Sequence, residues 1–94
     1  MTTGRRFRSG PITLVFSENH FGFSRIAVVI PSKIVKRSVA RNRIRRRIKE
    51  VFRRAVKLFG KNYDIIVMFY SAAPIKFREI EEQLVGIFTK AKII

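Results

Sequence analysis

The sequence predicts a small α+β domain, a two-layer sandwich in the order β-β-α-β-α, with residues 1–94 forming one unit. Three observations carry this expectation. Three short segments are β-branched and apolar enough to be strands. Two longer segments repeat their apolar residues with the period of a helix. Two helices of this size on one side of a sheet cannot cover both its faces, so the other face is left for a ligand. A chain of 94 residues buries somewhat over ~60% of the surface its unfolded form exposes. That supports a thin core, and a hydrophobic content of 47% is enough to fill it.

The elements follow in order. Residues 1–10 are basic and polar, with Arg5, Arg6 and Arg8 ahead of the turn residues Ser9-Gly10-Pro11, and leave room for an extra short strand near 5–8. Ile12 to Phe16 reads as a strand, and Ser17 to Ser24 as a loop. Arg25 to Ile30 is a second strand, apolar at nearly every position, which suggests burial on both faces. Pro31 ends it, because proline cannot donate to the ladder. Lys33 to Arg37 is a basic connector, and Ser38 is the expected N-cap of a helix over 39–59. Its apolar residues Ile44, Ile48, Val51, Phe52, Ala55 and Phe59 fall on one face. Gly60 is the expected left-handed terminator. Tyr63 to Tyr70 is a third strand, apolar on both faces, and Ser71 to Ile75 a loop with Pro74. A last helix over 76–91 shows Phe77, Ile80, Leu84, Ile87, Phe88 and Ala91 on one face, with Glu79, Glu81 and Glu82 near its start, where the dipole favours them. The four large helical aromatics, Phe52, Phe59, Phe77 and Phe88, are expected in the core. Phe7, Phe21, Phe23, Phe69 and Tyr70 are expected to be packing residues, with Phe7 the first exception because arginines flank it.

Charge narrows the function. Against 21 Lys and Arg there are 6 Asp and Glu, a net charge of +15. Such a charge repels itself in the compact state and favours polyanions, with nucleic acid first and an anionic membrane second. Zero cysteines exclude disulfides, thiol catalysis and cysteine zinc sites, and the single His20 excludes a histidine metal cluster. No apolar run approaches the ~18 residues that span a bilayer. The start Met-Thr-Thr-Gly-Arg-Arg-Phe-Arg lacks the apolar stretch of a signal peptide. A cytoplasmic location is expected.

Twelve of the basic residues lie between Lys33 and Lys57, with Glu50 the one acid among them. At 100° per residue, Asn42, Arg46, Lys49, Arg53 and Lys57 lie opposite the apolar stripe. Arg41 and Arg45 flank one edge of it, and Arg43, Arg47 and Arg54 the other. An ordinary solvated helix interleaves both signs. Here nine cations, seven of them arginine, face one anion, a pattern that needs a partner to supply the countercharge. The guanidinium fork suits bidentate phosphate contact. If about six to eight phosphates are neutralised, affinity falls steeply with salt.

The run Arg41-Asn42-Arg43-Ile44-Arg45-Arg46-Arg47-Ile48-Lys49-Glu50-Val51-Phe52 resembles the R-N-R-[IL]-[KR]-R signature of the bacterial ribonuclease P protein subunit. Arg25-Ile-Ala-Val-Val-Ile resembles the strand before it, Ser32-Lys33 the end of its turn, and Tyr63-Asp64-Ile65-Ile66-Val67 the family's "YDIVV" strand. The last helix from Phe77 also fits, so about residues 4 to 91 can be matched. The resemblance implies a split β-α-β unit with a left-handed crossover, against the usual right-handed rule. It implies a catalytic RNA that removes the 5′ leader of precursor tRNA with magnesium ions, and a protein that binds that RNA and guides the leader along the sheet. The partners it implies are the ribonuclease P RNA and precursor tRNA, with no membrane and no small-molecule substrate. Lys33, Lys36, Arg37, Arg41, Asn42, Arg43, Arg45, Arg46, Lys49 and Arg53 are the expected RNA-binding residues. Phe7, Thr13 and Val15 are the expected leader-facing residues. No residue of the protein is expected to be catalytic, and none to hold a metal or cofactor alone. Three departures stand out. The chain begins at about the glycine that follows the family's usual first helix. The aromatic expected late in the first strand aligns with Val15, and Phe16 is one residue out of phase, which turns a strand side chain to the other face. Lys33 stands where the family has two lysines.

Rival readings predict differently. A metal-assisted nuclease needs convergent carboxylates, and Glu18, Glu50, Asp64, Glu79, Glu81 and Glu82 are scattered, with Glu81 and Glu82 ~100° apart on a helix. His20 reads as a surface residue. A small basic ribosomal-type RNA-binding protein without a processing role would share the size and charge, and would co-purify with ribosomal RNA. A membrane-surface helix would leave two apolar strands without a core.

Overall fold

The computed structural model describes residues 4–71 and 76–94. Their order is β1 (Arg5–Ser9), β2 (Ile12–Glu18), β3 (Arg25–Val29), α1 (Ser38–Ala55), β4 (Tyr63–Phe69) and α2 (Phe77–Lys90). The basic N-terminal segment therefore forms a full strand, one more than the expected order. Most of the loop expected around Pro74 lies outside the described residues. The sheet runs β1-β2-β4-β3. β1 and β2 form a hairpin, β2 pairs antiparallel with β4, and β3 pairs parallel with β4. The two parallel strands of the β3-α1-β4 unit are direct neighbours. No strand divides them, so the unit is not split as the resemblance implied.

The hairpin turns at Gly10-Pro11. Gly10 takes φ +57, and a Cβ there would meet the Gln83 side chain at 3.2 Å. Glycine suits this turn because only it adopts that φ without strain. The Ser9 hydroxyl donates to the Gln83 amide oxygen, fastening the hairpin to α2.

Register assigns each side chain a face. The rows Phe7–Leu14–Val67–Val28, Arg5–Phe16–Ile65–Ile26 and Ser9–Ile12–Phe69 point to the helices. Both helices lie on that side, α2 against β1 and β2, and α1 against β3 and α2. Ile12, Leu14, Phe16, Ile48, Val51, Ile65, Val67, Phe69, Ile80, Leu84, Ile87 and Phe88 fill the layer between. Phe52, Phe59, Phe88 and Tyr63 meet edge to face at 5.5 to 6.0 Å, a favourable aromatic geometry.

Several expectations change. β3 is not buried on both faces: it is an edge strand, and Arg25, Ala27 and Val29 are exposed. The opposite sides of β3 and β4 are apolar beyond Arg25 and Asp64 but carry no helix among the described residues. α1 begins at Ser38 with Arg37 as the cap residue, and no side chain caps it. The Arg41 N–H reaches the Arg37 carbonyl at 3.0 Å, which starts the helix one residue early. α1 ends at Ala55, and Val56–Leu58 tighten into a 3-10 turn. Phe59 is extended there and packs on Phe52, Tyr63 and Phe88. Gly60 is not left-handed; its N–H donates to the Ile93 carbonyl at 3.3 Å, so core packing and this bond end the helix. β2 runs two residues past Phe16 and pairs to Tyr63.

Candidate nucleic-acid interface

The interface is built from the connector and α1 upward. Pro31 accepts from the N–H groups of Ile34 and Val35 at 3.0 and 3.1 Å, closing a turn at the end of β3. Val35 packs against the core, which leaves Lys33, Lys36 and Arg37 exposed beside the first turn of α1. The Arg41 guanidinium donates to the Val35 and Lys36 carbonyls at 2.9 and 3.0 Å. Arg41 therefore fixes the connector and is half-buried. Arg45 donates to the Asn42 amide oxygen at 3.1 Å, an i,i+3 bond that holds both heads on the outer surface.

The remaining cations divide in two. Arg47 pairs with Glu50 at 3.6 Å and lies 4.6 Å over the Phe77 ring. Arg54 pairs with Glu81 at 3.6 Å and lies 5.8 Å from the same ring. These two tie α1 to α2. Arg43, Arg46, Lys49 and Arg53 are exposed, and no acid pairs with them among the described residues. Lys49 and Arg53 border a shallow hollow of about 290 Å³ floored by Ile26, Phe52 and Val56, between α1 and the β3 edge. The helix thus leaves Arg43, Arg46, Lys49 and Arg53 facing solvent.

The open face of the sheet is a second surface. Its rows are Arg6–Val15–Ile66–Ala27 and Arg8–Thr13–Met68–Val29, with Asp64 and Arg25 at one end. Val15 and Thr13 lie there, although Thr13 is buried within its row. Phe7 does not. Period-two alternation turns it to the helices, where it stacks on Phe16 at 5.8 Å with Arg5 above both rings. The alternation that removes Phe7 supplies Arg6 and Arg8 instead. They were not among the expected site residues, yet the pattern Arg-Phe-Arg carried the signal once β1 was a strand.

Arg25 and Asp64 close the end of this face with two hydrogen bonds of 2.7 Å each. Arg25, as hydrogen-bond donor, holds the Asp64 carboxyl below its ordinary value; Asn19 adds to this at 2.9 Å, and desolvation opposes it. The Arg25 guanidinium is raised in turn by Asp64. A depressed carboxylate contributes stability above its unfolded pKa, near ~3.9, which is lost as pH falls through the lower folded value. Asp64→Asn is therefore expected to flatten the acid limb of a thermal-stability profile below about pH 4, and an unaltered limb would remove the pair from the acid response. Arg5, His20, Lys61 and Lys92 also surround a hollow of about 500 Å³ at this end of the sheet. This cluster was not expected, because its members are far apart in sequence.

Among the described residues no group of three His, Cys, Asp or Glu could hold a metal, and no helix is long and apolar enough to cross a membrane.

The fold and this surface define a small two-layer α+β protein with a cation-rich helix, four of whose cations have no acid partner among the described residues. Comparison with known proteins makes the family specific. The chain belongs to the ribonuclease P protein family, whose model, described as Ribonuclease P, matches residues 1–92. The Ribonuclease P protein component of Borreliella burgdorferi (strain ZS7) is 37% identical over 89 residues, covering 93% of this chain and 74% of that protein. The Ribonuclease P protein component of Fusobacterium nucleatum is 30% identical over 96 residues, covering 97% and 86%. The fold matches the structure of the Staphylococcus aureus RNase P protein with a TM-score of 0.83 at 21% identity, covering 98% of this chain and 84% of that one.

Proposed function

We propose that this chain is the protein subunit of a ribonucleoprotein endoribonuclease, in which it binds the ribonuclease P RNA through α1 and the connector. The observation that carries this reading is the set Arg43, Arg46, Lys49 and Arg53, exposed along α1 with no acid partner among the described residues. A folded RNA supplies the missing countercharge. Precursor tRNA is the substrate, and its single-stranded leader crosses the open sheet face past Arg6, Arg8 and Val15. The carboxylates support a non-catalytic protein. Glu18, Glu50, Asp64 and Glu81 are each matched with a different cation, and among the described residues no three His, Cys, Asp or Glu gather, whereas metal-assisted hydrolysis wants convergent carboxylates. The chemistry and its magnesium ions then belong to the RNA, in the cytoplasm.

Reconstitution tests this. The protein is mixed with a bacterial-type ribonuclease P RNA and precursor tRNA at low magnesium, and leader release is followed. Cleavage at the mature 5′ end is expected to be faster with protein than without. RNA binding with no stimulation would leave a ribosomal-type RNA-binding protein, and no RNA binding would end both readings.

A further inference from the structure

The loop between β2 and β3 shows two phenylalanines to solvent. Phe21 is 61% exposed and Phe23 58%, with ring centroids 6.5 Å apart. A loop that only joined two strands would gain by turning such rings inward, and both were expected to be packing residues. The scaffold beneath them is well fastened. Asn19 is buried. Its amide nitrogen donates to the Phe23 carbonyl at 3.2 Å and to Asp64 at 2.9 Å, and its amide oxygen accepts from the Phe21 N–H at 3.0 Å. Its backbone N–H donates to the Asn62 carbonyl at 2.9 Å. Gly22, at φ +84, makes the reversal that brings both rings off one turn. Arg25 lies 4.3 Å over the Phe21 ring, and Asp64 grips its guanidinium through two hydrogen bonds.

Position and charge indicate what the rings meet. Arg25 and Asp64 are the end row of the open sheet face, so Phe21 stands at the end of the surface bordered by Arg6 and Arg8. The nearby acids Glu18 and Asp64 are engaged by Lys61 and Arg25, so neither is left bare against a phosphate backbone. At the other end of the face Tyr70 is 44% exposed, and its hydroxyl lies 3.4 Å from the Met68 sulfur. Five residues of β4 separate Asp64 from Tyr70, and the six steps of strand rise span ~20 Å.

We propose that Phe21 and Phe23 form a stacking platform for unpaired bases of a single-stranded RNA crossing the open face. The proposal rests on reading that face as a path for single-stranded RNA. Every base has a π-face, so the platform tolerates any sequence and adds affinity without reading it. The buried Asn19 network holds the rings in place before the strand arrives, which lowers the ordering cost of binding.

The test uses the full chain, a short unstructured RNA, and an abasic oligonucleotide of the same length and charge. Wild type is expected to bind the base-bearing strand on the order of tenfold more tightly than the abasic one. Phe21→Ala/Phe23→Ala is expected to lose that preference while its salt slope stays unchanged, because no phosphate contact is removed. Phe21→Tyr/Phe23→Tyr is expected to retain it. Thermal melts of each variant check that these exposed positions leave the fold intact. A preference retained by the alanine variant would overturn the platform, as would no preference in a wild type that still binds the ribonuclease P RNA. Binding to neither oligonucleotide nor that RNA would overturn the underlying reading as well.

Discussion

Replacing Arg46, Lys49 and Arg53 together with alanine is expected to lower affinity for the ribonuclease P RNA on the order of a hundredfold near 0.1 M salt, and to reduce the log–log salt slope by about two to three units. The three lie 3 and 4 residues apart on the outward face of α1, so they track one phosphate path. None has an acid partner among the described residues, so their removal leaves no orphaned anion behind. The triple variant should therefore melt no lower than wild type without RNA, since like-charge repulsion along α1 is relieved. Arg46→Ala alone should reduce the slope by about one unit. Arg47→Ala/Arg54→Ala is the informative control. These cations are held by Glu50, Glu81 and the Phe77 ring, so their loss should loosen the α1–α2 contact and change the slope less. A triple variant with the wild-type slope would remove the face of α1 from the interface.

That division between free and engaged arginines was partly legible in the sequence. Helical spacing alone set Arg46, Lys49 and Arg53 opposite the apolar stripe, and set Arg47 and Arg54 on its flank, where α2 meets them. Both helices, three of the strands and the core positions Ile48, Val51, Leu84 and Phe88 were legible for the same reason, because hydrophobic periodicity survives in any small two-layer domain. What periodicity does not carry is which strands are neighbours. The placement of β3 at an edge beside β4, and with it the exposure of Ala27 and Val29, depends on pairing between distant segments. Phe7 illustrates the cost. Flanking arginines suggested a nucleic-acid contact, whereas the register of β1 against β2 turns Phe7 onto Phe16. Helix ends were misjudged where tertiary contacts outweighed local chemistry. Ser38 does not cap α1, and Gly60 does not terminate it by a left-handed turn. Arg41 as a clamp on the Val35 and Lys36 carbonyls was likewise invisible, since those bonds depend on how the connector folds back on the helix.

Ile48→Ala is expected to destabilise the protein by about 2–5 kcal/mol. Ile48 is fully buried between α1 and the sheet. The whole domain holds only ~5–14 kcal/mol by the usual allowance per residue, so the melting temperature should fall by ~10–30 °C. The position matters because Ile48 stands between Arg47 and Lys49 on the same helix. Loss of RNA binding in this variant could mean a lost contact or a lost fold, and linkage separates the two. An RNA that binds the folded state alone adds about 2.7 kcal/mol at a free concentration a hundred times its dissociation constant. Saturating RNA should therefore restore part of the lost melting temperature, while the salt slope of the folded fraction stays at its wild-type value, because every phosphate contact remains. The triple arginine–lysine variant should behave oppositely, with stability kept, slope reduced, and less stabilisation by RNA at equal concentration. A small loss of stability in Ile48→Ala would contradict its place in the core. A reduced slope would mean that the apolar face and the cationic face of α1 do not act separately, and that the order of the helix itself limits binding.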